Sequence, residues 1–178
     1  MKHVALVLCA LSLLFVAGCN LNGLKGGVSL EVGSARYLSG STIDAGTVSY
    51  PAAGIGFDAT KVIEVSLVNE TDLPLTITPS GAANVVPTYG QYVDTISSGK
   101  LASWESGELG WIVLSKDISS ATIPVGGTAD FEITLDANLA IVPDSNRRWE
   151  TRQDYKIALD DGKTSYDFVF EVYGVVAC

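Results

Sequence analysis

The chain has 178 residues, the length of one domain or of one domain with a short appendage. Hydrophobic residues make up 47% and charged residues 17%, which excludes an intrinsically disordered chain and is typical of a β-rich core. Acidic residues outnumber basic residues by 20 to 11, so the net charge is −9. Because no segment concentrates positive charge, we expect no nucleic-acid partner.

The first 18 residues have the pattern of an export signal. Lys2 and His3 precede an apolar run over residues 4–16, and small residues follow it. A positive start, an apolar stretch and small residues before a cleavage site are typical of a secretory signal. The run is shorter than the roughly 20 residues that span a bilayer. We therefore predict that residues 1–18 are a signal peptide, which is removed from the mature chain.

Residues 16–19, Val-Ala-Gly-Cys, resemble the lipobox of bacterial lipoproteins. The resemblance implies that the Cys19 thiol receives a diacylglycerol, that cleavage occurs just before Cys19 and that the new amino terminus is acylated. Two or more acyl chains anchor a protein stably in a membrane. The alternative is an ordinary export signal whose cleavage site happens to contain a cysteine.

The residues after Cys19 bear on where the chain is anchored. In lipoproteins similar to this one, Asp at the next position often signals retention in the inner membrane, so Asn20 favours the outer membrane or cell surface. Residues 20–27 are small and polar enough for a short flexible tether. We therefore expect residues 19–27 to be a lipidated cysteine and its tether, with the membrane of a bacterial envelope as a partner.

The cysteine count predicts an unpaired thiol. Cys9 leaves with the signal and a lipidated Cys19 becomes a thioether, which leaves Cys178 without a partner. An unpaired cysteine in an exported protein predicts an intermolecular disulfide or a free thiol. The alternative is that Cys19 escapes lipidation and pairs with Cys178.

The mature chain excludes several kinds of catalysis. The single histidine of the sequence, His3, lies in the predicted signal, so the mature chain has no histidine. Ser-His-Asp catalysis, Cys-His catalysis and His-ligated zinc are therefore excluded. The sequence contains no Gly-x-x-x-x-Gly-Lys-Ser/Thr phosphate loop and no Gly-x-Gly-x-x-Gly fingerprint. Enzymes can work with two carboxylates alone. We nevertheless predict a protein that is not an enzyme and that holds no cofactor or metal.

From residue 28 onward, apolar and polar residues alternate with the period of β-strands. The alternating runs are residues 61–69, 129–136 and 155–160, and a nearly continuous apolar run covers residues 166–176. The last run predicts a central strand covered on both faces. Turn-forming residues separate the runs, and the Asp-Gly pair at 161–162 predicts a hairpin. We therefore predict an all-β protein with an antiparallel β-sandwich over residues 28–178.

Four segments resemble, in order, the immunoglobulin-like domains of the Hydin/ASPM/SPD-2 family. They are the opening strand at 42–48, the Asn-x-Gly-x-x-Pro-Leu-x-Ile hairpin at 62–78, the Pro-Gly-x-x-x-x-Phe element at 123–131 and the closing strand at 168–174. Asp72 stands where the family often has Gly, and Ala45 stands where an aromatic residue is usual. The resemblance implies an immunoglobulin-like sandwich that makes protein contacts, and it implies no catalytic residues.

Residues 80–120 form an insert longer than the connection usual in that family. The insert holds Tyr89, Tyr92, Trp104 and Trp111. Trp104 has a serine and an acidic residue as neighbours, so we predict that it is exposed, whereas Trp111 begins an apolar run and is predicted in the core. Exposed aromatic rings serve protein recognition or sugar stacking. Trp104, Tyr92 and Tyr89 are therefore candidate binding residues, for a protein partner or, as the alternative, for a carbohydrate.

Short acidic runs are compatible with calcium binding or with turns. Residues 136–138, 144–146 and 160–162 supply oxygen ligands at close spacing, but none completes a twelve-residue calcium loop. Asp and Asn also form turns through their own side chains. We expect turns rather than calcium sites.

A basic cluster is compatible with a binding surface or with a solvated loop. Arg147, Arg148 and Arg152 could meet an anionic lipid or an acidic partner. We expect instead a solvated loop in which these arginines pair with Glu150 and Asp154 at little gain in stability.

Overall fold

The computed structural model describes residues 27–49, 59–84, 88–92, 101–106, 111–119, 122–137 and 148–177. The predicted signal over residues 1–18, Cys19, most of the tether and Cys178 lie outside the described residues. Within them, the strands are β1 Val28–Val32, β2 Ala35–Tyr37, β3 Ser41–Ser49, β4 Thr60–Asn69, β5 Leu75–Asn84, β6 Thr88–Tyr92, β7 Leu101–Ser106, β8 Ile112–Lys116, β9 Thr122–Ile123, β10 Thr128–Asp136, β11 Arg148–Asp160 and β12 Ser165–Ala177. The described part of the chain has no helix long and apolar enough to cross a bilayer.

The strands form two sheets that confirm the predicted all-β class. Sheet A has the order β2-β1-β4-β10-β8, and sheet B has the order β3-β12-β11-β5-β9, with β6 paired to β11 and β7 paired to β6. The described pairings are antiparallel except for β3 with β12, which is parallel. When β1, β4, β5, β8, β10, β11 and β12 are lettered A to G, sheet A contains ABED and sheet B contains GFC. This is the strand order of an immunoglobulin-like sandwich, as predicted.

Alternate residues of strands β4, β10 and β11 build much of the core. In sheet A, the predicted apolar faces of β4 and β10 are buried, and Phe131 is 1% exposed. In sheet B, β11 buries its predicted face, and Tyr155 stacks on Phe170 with ring centroids 5.2 Å apart. The buried members of these faces are Ile63, Val65, Leu67, Ala129, Phe131, Ile133, Leu135, Tyr155, Ile157 and Leu159. Removal of this apolar surface from water provides the main force for folding.

Strand β12 is central, as predicted, but only its end is covered on both faces. It lies between β3 and β11, and over most of its length exposed residues such as Val169 alternate with buried ones. Val175 and Val176 are both buried. A Cβ on Gly174 would lie 2.9 Å from the nearest Leu135 methyl carbons, so a larger residue would overpack the space between the sheets.

The turn between β11 and β12 uses its acidic side chains as predicted. Asp160 Oδ1 accepts a hydrogen bond from Gly162 N at 2.6 Å. Asp161 Oδ1 accepts hydrogen bonds from Lys163 N and Thr164 N, each at 2.8 Å. Gly162 has a φ of 84°, which its lack of a Cβ permits. These carboxylates shape the hairpin.

The loop predicted around Arg148 and Arg152 is wrong, because both residues belong to strand β11. The alternation was hidden because two core-facing positions there, Thr151 and Gln153, are polar although buried. Arg152 Nη1 lies 3.7 Å from Glu171 Oε2 on β12. Arg147 lies outside the described residues.

Candidate functional site

The predicted aromatic insert contains an antiparallel hairpin of β6 and β7. Tyr89 pairs with Glu105, and Gly90 pairs with Trp104. Strand β6 also pairs with the first residues of β11, where Tyr89 lies opposite Thr151. Among the described strands, β6 and β7 pair with no member of sheet A. The hairpin therefore widens sheet B at the start of β11.

The structure brings the three candidate binding residues into this one hairpin. Tyr89 and Tyr92 are on β6, and Trp104 is on β7 opposite Gly90. The orientation and exposure of these three side chains lie outside what the structure describes. Trp111 is separate from the hairpin and 0% exposed, which confirms its predicted place in the core.

Strands β5 and β6 lie one after the other along the same edge of β11, so β5 leads directly into the hairpin. Asn84 pairs with Tyr155, and Thr88 pairs with Arg152. Strand β5 is irregular before this point, and the N–H of Ala82 donates to Asp117 Oδ1 at 3.2 Å. Asp117, which follows β8, thus ties sheet B to the end of a strand of sheet A. The sequence showed no signal for this contact.

The opposite end of the sandwich is organised by Asn69, which is 0% exposed. Its Nδ2 donates to the carbonyl oxygens of Leu73, Ile123 and Pro124 at 2.9, 3.1 and 3.2 Å. Its Oδ1 accepts hydrogen bonds from the backbone N and the Oγ1 of Thr71 at 3.0 and 2.6 Å. This amide joins the turn after β4 to the turn after β9. We call the end formed by residues 70–74, 124–127 and 161–164 the turn pole.

A shallow groove of about 480 Å³ lies on the outer face of sheet B, between β3, β12 and β11. Its charged side chains are largely paired with their neighbours. Thr42 Oγ1 donates to Glu171 Oε1 at 3.1 Å, and Lys156 Nζ lies 3.4 Å from Asp167 Oδ2. Exposed ion pairs of this kind contribute about 0–1 kcal/mol each. The groove is an open surface whose lining is more apolar than polar, with charged side chains around it.

The outer face of sheet A carries an acidic cleft of about 240 Å³. Glu64 lies directly opposite Glu132 in the β4–β10 register. Lys116 Nζ lies 3.3 Å from Glu132 Oε1, and Ser66 Oγ donates to Asp130 Oδ1 at 2.7 Å. No group of three metal-ligating side chains occurs within the described ranges. The cleft makes this face of the molecule negative.

Together these features define an immunoglobulin-like β-sandwich with an inserted hairpin on sheet B. No family model matches the chain, and no curated protein matches it. Similar solved structures include the CooA pilin subunit from enterotoxigenic Escherichia coli, which is 12% identical. The match covers 85% of this chain and 99% of that one, with a TM-score of 0.33.

Two further structures have comparable scores. AggA, the major subunit of aggregative adherence fimbriae type I from Escherichia coli, is 4% identical over 88% of this chain and 97% of that one, with a TM-score of 0.34. A family 123 glycoside hydrolase from Clostridium perfringens is 10% identical over 84% of this chain but only 27% of that one, with a TM-score of 0.37. Similarities at this level carry no conclusion about partner or activity.

Proposed function

We propose that this protein is a lipid-anchored component of a bacterial cell envelope, whose immunoglobulin-like domain makes contacts with other proteins and has no catalytic activity. The lipobox resemblance at residues 16–19 supports the anchor. The absence of histidine from the mature sequence supports a non-catalytic role. The resemblance to Hydin/ASPM/SPD-2 domains supports a role in protein contacts.

The observation that carries the contact function is the β6–β7 hairpin. Among the described strands it is joined to the sandwich through β11 alone, as an addition to the seven strands of the immunoglobulin-like order. Strand β7 pairs only with β6 among those strands, and an edge strand offers backbone N–H and C=O groups to a partner strand. Aromatic residues are frequent among the residues that dominate binding energy at interfaces. The hairpin therefore offers an edge strand and carries the three aromatic residues that we propose as anchors.

Replacement of Cys19 tests the anchor. We expect wild type in the membrane fraction and Cys19→Ala as an uncut or soluble protein, because the modified thiol is lost. Mass spectrometry of the intact wild-type protein should show cleavage before Cys19 and the mass of the added lipid. An unmodified mature chain would show that the protein is not anchored in this way.

A photo-crosslinking amino acid placed at Trp104 tests the contact function in intact cells. The matched control places the same group at Val62, which is 56% exposed on the outer face of sheet A. We expect a discrete adduct with another protein from position 104 and none from position 62. Equal labelling from both positions, or no adduct from 104, would remove the hairpin as the contact surface.

Carbohydrate binding is the second candidate, because Tyr89, Tyr92 and Trp104 share one hairpin and aromatic faces stack on sugars. Glycan-array binding that is lost in Trp104→Ala, with an unchanged melting temperature, would favour this function over protein contact. If no glycan binds the wild-type protein, the first proposal stands alone.

A further inference from the structure

The chain enters the sandwich at the turn pole. The carbonyl of Gly27 accepts a hydrogen bond from Glu70 N at 2.9 Å, and Val28 pairs with Asn69. Arg36 and Glu70 form an ion pair beside this point. A Cβ on Gly27 would lie 3.5 Å from Glu70 Oε2 and 3.8 Å from Arg36 Nη2. The start of β1 is therefore held against the turn after β4.

The last described residue lies at the opposite end. Ala177 pairs with Ser49 at the end of β3 and with Arg148 at the start of β11. Strand β12 has 13 residues, which at about 3.3 Å per residue separates Ala177 from the turn pole by roughly 40 Å. Strand β6 pairs with the first residues of β11, so the aromatic hairpin also lies towards this end. We call this end, at Ser49, Arg148 and Ala177, the far pole.

We propose that the anchored domain stands upright on its membrane, with the turn pole towards the bilayer and the far pole, including the β6–β7 hairpin, directed away from it. This inference rests on the proposed anchor at Cys19. Eight residues lead from Cys19 to Gly27, and a chain of that length reaches at most about 29 Å. The turn pole therefore stays near the bilayer, and a protein partner that approaches from outside meets the far pole first.

Charge opposes the alternative in which the domain lies with the outer face of sheet A on the membrane. The outer face of sheet A carries Glu64, Asp130 and Glu132 around Lys116. Anionic lipids create a negative surface potential, which repels such a face. Asp72 and Asp161 add negative charge to the turn pole itself. The short tether thus holds the turn pole close to the membrane, while repulsion keeps both surfaces from adhering to it.

Energy transfer to lipid vesicles tests this orientation without relying on the natural lipid. The described strands all lie between residues 28 and 177, so a chain that begins at residue 20 retains every one of them. A hexahistidine tag placed before residue 20 binds it to phosphatidylcholine vesicles that contain a nickel-chelating lipid and an acceptor-labelled lipid. One protein carries the donor dye at Thr164→Cys in a Cys178→Ser background, and its matched partner carries the dye at Cys178.

We expect severalfold stronger energy transfer from position 164, at the turn pole, than from Cys178, which follows Ala177. Added phosphatidylserine should weaken the transfer from position 164, and salt should restore it, because the repulsion is electrostatic. Equal transfer from the two positions would mean that the domain lies flat, and stronger transfer from Cys178 would mean that it is inverted. Either result overturns the orientation, whereas failure of the natural anchor appears separately in the Cys19→Ala fractionation.

Discussion

At the scale of single residues, Asn69 contributes more hydrogen bonds to the turn pole than its position in a surface turn suggests. Its amide bonds to three carbonyl oxygens and accepts two hydrogen bonds from Thr71. Because Nδ2 is engaged and the residue is buried, the sequence Asn69-Glu70-Thr71 cannot carry a glycan in the folded protein. The side chain is a structural link between two turns.

We predict that Asn69→Ala lowers the free energy of unfolding by about 2–4 kcal/mol, because several carbonyl groups lose their donor at a site with little water. Asp72→Ala, in the same turn but exposed, is the matched control and should change stability by less than about 0.5 kcal/mol. Urea denaturation monitored by circular dichroism measures both. Equal stability of the two variants would show that the Asn69 network is not important to the fold.

Tyr155 is a second residue with a distinct prediction, because its hydroxyl is buried and has no hydrogen-bond partner among the described residues. Burial raises the pKa of Tyr155 well above its usual value of 10.0. Well below pH 10, Tyr155 is neutral in both the folded and the unfolded chain. As pH rises above 10, the unfolded chain loses the proton while the folded chain retains it, so stability falls with pH.

Tyr155→Phe should therefore be at least as stable as wild type at pH 7, because the substitution removes an unsatisfied polar group. Its stability should also decline less between pH 10 and pH 12. Some decline should remain, because burial and the nearby Asp161 and Asp160 carboxylates raise the pKa of Tyr166 to about 12. Urea titrations at pH 7 and at alkaline pH compare the two proteins. A clear loss of stability at pH 7 would mean that the hydroxyl is bonded in solution.

At the scale of elements, edge strand β3 contains an irregularity at Gly46. Asp44 pairs with Tyr173 and Thr47 pairs with Val175, so β3 carries one extra residue between these pairs. Gly46 has a φ of 79°, and its N–H donates to Asp44 Oδ1 at 2.7 Å. Bulges of this kind bend an edge strand and hinder pairing with other chains.

We predict that Gly46→Ala destabilises the domain by about 1–2 kcal/mol, because an L side chain is strained at positive φ. The new Cβ would also lie 2.7 Å from Lys61 Nζ, but that flexible end can move. The double variant Gly46→Ala/Lys61→Ala separates the two causes. We expect Gly46→Ala to lower stability by the same amount in the Lys61→Ala background as in wild type, because the backbone strain remains when the lysine is removed. Thermal unfolding of the four proteins measures this, and full recovery in the double variant would identify the clash as the cause.

Strands in which apolar and polar residues alternate strictly were predictable from the sequence. Strand pairings between segments far apart in the sequence were not. Residues 129–136 place one apolar residue at every second position, and β10 covers residues 128–136. The start of β11 was missed because Thr151 and Gln153 are polar core residues. The parallel pairing of β3 with β12 joins segments far apart in sequence. The local alternation of apolar and polar residues does not indicate which distant strands pair.

The candidate site was predictable only in outline. The insert was found because its length and aromatic content were unusual for the resembled family. Its fold into β6 and β7 depends on a register with β11, which the sequence of the insert alone does not specify. Glycine at position 90 and serines in β7 weaken the local strand signal. Trp111, by contrast, was correctly separated because it precedes an apolar strand.

At the scale of the whole molecule, strand β12 begins beside the turn pole and runs parallel to β3 towards the far pole. Ser41 pairs with Phe170 and Ser49 pairs with Ala177, so both strands run towards the far pole. The chain enters at Gly27, beside Glu70. The entry point at Gly27 and the last described residue, Ala177, therefore lie at opposite ends of the sandwich.

This separation favours one of the two disulfide interpretations over the other. A Cys19–Cys178 bond within one chain would require the eight residues before Gly27 to cover the length of the sandwich. They reach at most about 29 Å, whereas the strands extend roughly 40 Å, and disulfide-bonded Cα atoms lie only about 4.4–6.8 Å apart. A nearly taut tether also loses the conformational freedom that a flexible segment retains. Any disulfide is therefore expected between chains, through Cys178.

Non-reducing electrophoresis of the wild-type protein should show a dimer that a reducing agent converts to monomer. Cys178→Ser should remain monomeric in both conditions, whereas Cys19→Ala should still form the dimer, because the dimer does not need that thiol. The far-pole position favours such a bond between two upright copies, since their Cys178 residues then lie at the same height above the membrane. The contradicting result is a monomer whose digest contains the Cys19 and Cys178 peptides linked by a disulfide. It would contradict the bond between chains, and also the separation of the two poles on which that prediction depends.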